Sequence, residues 1–387
     1  MSTSVREEPY WKVSPWLTAE TFVAYRRGRF LVVQLNSPHQ VISTSAWIGG
    51  LTCNVTHLVN HQSCEAKGHS DRYEEIAALG LNGYHKSVCE QLTLDPESTA
   101  VMGTAANMIY AAHETGSYED VRVDAIVTAG VEGNACCAGD PSQWQETSSG
   151  WNKLPHVAGT INTMLMLNQP MRPEAQVRAV STATEGKTAA LTELGVSSRY
   201  SADLATGTGT DQISIASVID ASRYAYASAS PHTKVGELIG STVRRATRNA
   251  LRWQNGLEPS ITRGLFHALR RFGFSEAGFL EAMRVRLNDV SYGLLDRNRN
   301  AVLYEPQAAA GAYAFGSVLD RIRYGVLPAT SGAEILRQQA ATLAAALAAQ
   351  PESWHRFWTQ LDVDIEQPLR AIYDAIALGW SAKWSKD

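Results

Sequence analysis

The residues best suited to chemistry are concentrated between Ala183 and Ile213. Glu185 and Lys187 lie two apart in a run with helical spacing. A loop of alternating threonine and glycine, Thr206, Gly207, Thr208, Gly209 and Thr210, follows and ends on Asp211. Positions two apart on a helix are not neighbours on its surface, so the two charges point to different faces. Glycines without a Cβ let backbone approach a ligand closely, while threonine hydroxyls on either side can donate or accept. The loop reads as a polar cradle; the alternative is a tight turn between two strands.

These residues need elements to hold them. Pro173 opens a helix that runs through Leu194 and is closed by Gly195, placing Glu185 and Lys187 well inside it. QISIASVI, after the loop, alternates as a strand. VRVDAIVTAG, β-branched, apolar and closed by glycine, is the clearest strand of the chain, and its carboxyl end is a natural place for a site. Small residues follow it with one amide and one carboxylate, Asn134 and Asp140, which either orient a substrate or close a buried turn. HVAGTINTMLMLNQP is again a strand, in which Thr160 and Asn162 sit among apolar neighbours. A buried amide needs partners, so Asn162 is either a core hydrogen-bond hub or a site residue. FLVVQL, a Ser-Pro-His turn and VIST read as a β-hairpin. His57 and His61, four apart in the next strand, either form a metal pair or simply share a polar face. Helices are expected over 71–80, 84–92 and from about His232 to Trp253. A polar loop over 142–155 is either a flap over a ligand or a surface insertion. Beyond residue 254 Leu, Ala, Arg and Glu recur with helical spacing.

Composition narrows the class. With 387 residues, 44% of them hydrophobic, the chain can bury one large core or two smaller ones. A formal net charge of −4 supplies no field to attract nucleic acid. The alanine-rich run Ala340 to Ala349 is shorter than the ~20 residues of a membrane span. The amino terminus has no basic start followed by an apolar run, and five cysteines without repeated CxxC spacing fit reduced thiols, so a cytoplasmic protein is expected.

The runs VDAIVTAGV, GNA, AGDP, GTINTMLMLN, ATEGKTAALTELGV, ATGTGTDQI and HTKVGELIG, with the earlier VISTSAWIGG and LVNHQ, resemble in order and spacing the adenosylcobinamide amidohydrolases of corrinoid salvage, over about residues 28 to 250. The resemblance implies hydrolysis of the amide that joins the aminopropanol arm to the corrin ring of adenosylcobinamide. Such an amide needs a nucleophile, a stabilised oxyanion and a proton for the leaving amine. Glu185 is the first candidate for the base that activates water, with Lys187 or N–H groups of the 206–211 loop holding the oxyanion and His61 or His232 supplying the proton. In a second mechanism a loop threonine such as Thr210, or Cys136, is the nucleophile. Asn60, Asn134, Asp140, Thr160, Asn162, Thr206, Gly207, Thr208, Gly209 and Asp211 then position the corrinoid. A divalent metal could join only if Asp140, Asp211, Glu185 and the histidines meet.

The expected architecture is an α/β domain with a mixed β-sheet layered with helices over 29–254, strands near 30, 57, 100, 108, 123, 158 and 213, an amino-terminal arm over 1–28 and a mostly α-helical region over 255–387. The expected ligand is a corrinoid, with a homodimer as a further expectation from the base rate of symmetric oligomers. A corrinoid-binding or regulatory protein without hydrolysis, or a hydrolase of another amide, is the alternative.

Overall fold

The structure, a computed structural model, describes residues 10–64, 69–142, 144–147, 150–153 and 159–384. The chain divides into two compact units. The first comprises Met1–Leu194, Ser198–Tyr200 and Ala205–Leu257; the second comprises Gly195–Ser197, Ser201–Leu204 and Glu258–Asp387.

In the first unit the elements run β1 (Leu17–Thr18), β2 (Phe22–Arg27), β3 (Phe30–Leu35), β4 (His39–Ser43), β5 (Gly50–Thr52), β6 (His57–Gln62), α1 (His69–Leu92), β7 (Thr99–Thr104), β8 (Ala112–Tyr118), β9 (Val121–Gly130), β10 (Ala135–Cys136), β11 (Trp144–Thr147), β12 (Gly150–Lys153), β13 (Thr160–Leu167), α2 (Pro173–Glu193), β14 (Gly207–Thr208), β15 (Gln212–Val218) and α3 (Lys234–Asn255). Two sheets of mixed pairing form, in the orders β1-β2-β3-β6-β7 and β5-β4-β15-β13-β9-β8. Their facing sides share one core, in which Leu31, Val33, Leu58 and Met102 of the first meet Ile126, Met164, Met166 and Ala216 of the second. The outer face of the first sheet, Val32, Val59 and Val101, is covered by Val88, Cys89 and Leu92 of α1. Helices α2 and α3 cover the outer face of the second. A four-layer helix–sheet–sheet–helix stack results. All eight residues of β13 are buried because it has a layer on each side.

The β13–α2–β15 segment is a parallel crossover, which brings the threonine–glycine loop back to the start of β15. Because β9 runs antiparallel to β13, with Thr160 opposite Gly130, the end of β9 and the starts of β13 and β15 share one edge. The caps are local. Pro173 occupies the first turn of α2, Gly195 takes φ +61 after it, Thr233 Oγ1 accepts from Gly236 N at 3.2 Å, and Gly256 at φ +65 ends α3. Helices α2 and α3 cross closely at Gly186, where a Cβ would lie 2.6 Å from the carbonyl oxygen of Gly240.

Three expectations are corrected. Strands β3 and β4 are not a hairpin but enter different sheets, because β3 pairs with β2 and β6 while β4 pairs with β15 and β5. The segment near 108 is a short 3-10 turn, Met108–Tyr110, in which Asn107 Oδ1 accepts from Ile109 N at 2.9 Å, and the strand begins at Ala112. Within the arm expected over 1–28, residues 17–18 and 22–27 form β1 and β2, with Phe22 and Ala24 fully buried in the core between the sheets, while residues 1–9 lie outside the described residues. Helical runs flank Gly80, whose φ of +64 separates them. Strands β11 and β12 form a hairpin within 142–155, while residues 143, 148–149 and 154–155 of that loop lie outside the described residues.

The second unit is helical, with α4 (Pro259–Thr262), α5 (Leu265–Leu269), α6 (Glu276–Arg286), α7 (Asp289–Arg297), α8 (Asn300–Leu303), α9 (Pro306–Arg323), α10 (Ala329–Ala348), α11 (Trp354–Gln360) and α12 (Leu369–Lys383). Phe279, Phe315, Leu336, Phe357 and Trp380 share its core. Within the same unit Asp203 binds Arg323, and Arg271 pairs with Asp320. Among the described residues no helix is long and apolar enough to cross a membrane.

Candidate active site

The helix α2 turns Lys187 inward, and its ammonium pairs with Asp211 Oδ2. The same carboxylate accepts from Thr208 N at 3.1 Å, from Thr208 Oγ1 at 2.5 Å and, across the sheet, from Ile161 N at 3.0 Å. Four donors thus fill both oxygens, and the pair is largely shielded, with side-chain exposures of 13% and 18%. Gly207 makes room for it: a Cβ there would sit 2.6 Å from Lys187 Nζ. The loop is clipped to the turn after β9, where β14 pairs with β10 and Thr206 Oγ1 accepts from Ala138 N at 2.8 Å.

Beside this pair lies a second group. The Thr160 and Thr210 hydroxyls touch, and Thr210 Oγ1 donates to the Gly159 carbonyl at 2.9 Å. Asn134 Nδ2 donates to the same carbonyl at 3.1 Å, and Gly209 N donates to Asn134 O at 3.3 Å. A Cβ on Gly209 would lie 3.2 Å from both ends of the Asn134 amide, so a side chain there would crowd it. Asp140 resolves to the turn-closing alternative. Its Oδ2 accepts from Cys137 N at 2.7 Å and from Ser198 Oγ at 2.6 Å.

Between the sheets, Asn162 Nδ2 donates to Asn60 Oδ1 at 2.9 Å and to Gly103 O at 3.0 Å, and Asn60 Nδ2 donates to Thr128 Oγ1 at 2.7 Å. Asn162 is therefore a hydrogen-bond hub joining the two sheets one residue from Ile161, the residue whose N–H holds Asp211. His61 is buried, stacked on Phe30 at 4.7 Å and hydrogen-bonded through Nδ1 to the Tyr84 hydroxyl at 2.9 Å. His57 Nε2 contacts Tyr10 OH at 2.9 Å, and burial holds its imidazole below its usual range. Each histidine ring is thus engaged by a tyrosine.

Two candidates do not join the site. Glu185 is exposed on α2, on the side away from the Lys187 contact, so the charge expected to activate water faces solvent. His232 is exposed at the amino end of α3, whereas Gln254 and Asn255 at the other end bond Asn107 N and Val131 N beside the site edge. A 22-residue helix separates the ends by about 30 Å. Among the described residues no group of three or more His, Cys, Asp or Glu could hold a metal ion.

Cys136, opposite Gly207, is half-buried; burial pushes its thiol up, and Asp211 and Asp140 add to the effect. That environment protects the thiol rather than the nucleophilic thiolate. Sequence reasoning missed Tyr200, whose hydroxyl donates to Asn134 Oδ1 at 2.9 Å, together with Thr128, Tyr84 and Gln212. Tyr200 lies in a stretch without periodicity. Asking what satisfies a buried Asn134 is the one question that leads to it.

Residues 16–259 match the family model described as adenosylcobinamide amidohydrolase (CbiZ), and every residue of the site falls inside that span. An uncharacterized protein of Methanocaldococcus jannaschii is 33% identical over 177 residues, covering 43% of this chain and 68% of the relative. Among solved structures, a Pyrococcus horikoshii protein is 14% identical, covering 62% of this chain and 82% of that one at a TM-score of 0.29. A Burkholderia beta-aminopeptidase is 15% identical, covering 59% and 80% at a TM-score of 0.27. TM-scores this low establish nothing about the site.

Proposed function

The chain belongs to the adenosylcobinamide amidohydrolase family, and on that premise we propose that it hydrolyses the amide between the aminopropanol arm and the corrin ring of adenosylcobinamide, giving adenosylcobyric acid and aminopropanol. The observation that carries the chemistry is the line of contacts Thr208 Oγ1, Asp211 and Lys187. A hydroxyl in hydrogen-bond reach of a base that a third group orients is the general arrangement of an activated nucleophile. In this reading Thr208 Oγ1 bonds to the amide carbon while its proton passes to Asp211. The carbon–nitrogen bond breaks as that proton moves to the leaving amine, and water then cleaves the threonine ester to release the carboxylate. Lys187 keeps Asp211 in place and offsets the negative charge that develops. Glu185 has no part in it.

The test is mass spectrometry of adenosylcobinamide after incubation with the protein. Equal amounts of adenosylcobyric acid and aminopropanol are expected. Corrinoid binding without product would leave a binding protein, and hydrolysis of a different amide alone would change the substrate.

A further inference from the structure

A second set of contacts, one hydrogen bond removed from the threonines, is built with its directions forced. The Gly159 carbonyl only accepts, so the Asn134 group 3.1 Å from it must be the Nδ2 amine. Oδ1 then faces Tyr200, whose hydroxyl must donate across 2.9 Å. Thr210 also gives its proton to the Gly159 carbonyl, so in the Thr160–Thr210 contact the proton comes from Thr160. Both threonine protons are committed, so each hydroxyl oxygen keeps lone pairs, that of Thr210 on the exposed loop and that of Thr160 buried beside it. Asn134 is 2% exposed, and Gly159 and Gly209 press on it from two sides, a Cβ on the first lying 3.0 Å from Asn134 Cβ. Turning the Asn134 amide would break its bonds to the Gly159 carbonyl and to Tyr200 together.

We infer that Tyr200 is a positioning residue for the hydrolysis proposed above: by fixing the Asn134 amide it holds the Gly159 carbonyl, and with it the Thr160 and Thr210 hydroxyls, as hydrogen-bond acceptors for the donor groups on the amine side of the substrate amide. The inference rests on that functional reading for its meaning and on the hydrogen-bond directions for its geometry. An amide N–H and the hydroxyl of an amino alcohol are donors of the required kind.

Tyr200→Phe removes one oxygen and keeps the ring. With the corrinoid amide as substrate, kcat is expected to fall about tenfold while KM stays within about threefold. In an Asn134→Ala background the same substitution is expected to change kcat by less than about twofold, because both residues act through one bond. Retention of kcat by Tyr200→Phe, or losses that multiply in the double variant, would overturn the assignment. Amide hydrogen exchange of the unliganded protein reads the bracket without turnover. Peptides over 159–162 and 206–211 should exchange faster in Tyr200→Phe, with those of β2 and β3 unchanged. If the wild-type protein leaves the substrate intact, the functional reading falls while faster local exchange upholds the bracket; unchanged exchange sinks the bracket whatever the activity.

Discussion

The Lys187–Asp211 pair stands in the space that a Cβ on Gly207 would fill. The helix charge and the end of the loop meet where residue 207 lacks a side chain, and a Cβ there would displace both of them. Lys187→Met should lower kcat about a hundredfold or more, since it strips the base of the cation that holds it. Asp211→Asn should do at least as much. Steady-state kinetics of the two variants provides the check.

Gly207→Ala is expected to destabilise by about 1–3 kcal/mol through overpacking and to lower activity with it. The helix crossing supplies a matched comparison. A Cβ on Gly186 would meet the Gly240 carbonyl at 2.6 Å, whereas one on Gly240 meets only Thr182 Cγ2 at 3.7 Å. Gly186→Ala should therefore lower the melting temperature. Gly240→Ala should leave the melting temperature unchanged or raise it, since alanine adds up to about 1 kcal/mol of helix propensity.

Glu185→Gln should retain activity within about twofold, as expected of a surface substitution away from the reacting groups. The contrast with Lys187, two residues on, locates the working face of α2. A severe loss in Glu185→Gln would return the activated-water mechanism.

Helices α2 and α3 were legible because their limits are written in neighbouring residues, Pro173 and Gly195 for one, Thr233 and Gly256 for the other. The strands β9, β13 and β15 were legible from apolar and β-branched runs. Which strand pairs with which is a long-range matter, so β3 and β4, adjacent in sequence, have the local pattern of a hairpin although each finds its partners elsewhere. The loop 206–211 and Asp211 stood out by composition. That Lys187 rather than Glu185 turns inward depends on the contact of Gly186 with Gly240, which periodicity does not reveal. Tyr200 carried no pattern at all.

Cys136→Ser should keep activity within a few-fold, because burial followed by the carboxylates of Asp211 and Asp140 pushes the thiol above its usual range and away from nucleophilic use. Alkylation of Cys136 at neutral pH should be slow; peptide mass spectrometry after timed iodoacetamide treatment measures it.

Stability should fall with acid before carboxylates titrate. Burial lowers the imidazoles of His39, His57 and His85, and burial with the nearby Arg270 charge pushes His267 down to about 4. Below about 6.5 the unfolded chain binds protons that these folded sites refuse. The stability present above that pH is thus lost progressively as pH falls toward the folded values. Urea midpoints at several pH values between these limits check the direction, and His267→Gln should flatten the curve.

The most direct test is hydrolysis of adenosylcobinamide by the wild-type protein, Glu185→Gln and Thr208→Val, with adenosylcobyric acid and aminopropanol quantified by mass spectrometry. The account predicts product from the first two at similar rates and a loss of about a thousandfold or more in the third, as for removal of a nucleophile. Full turnover by Thr208→Val would contradict it.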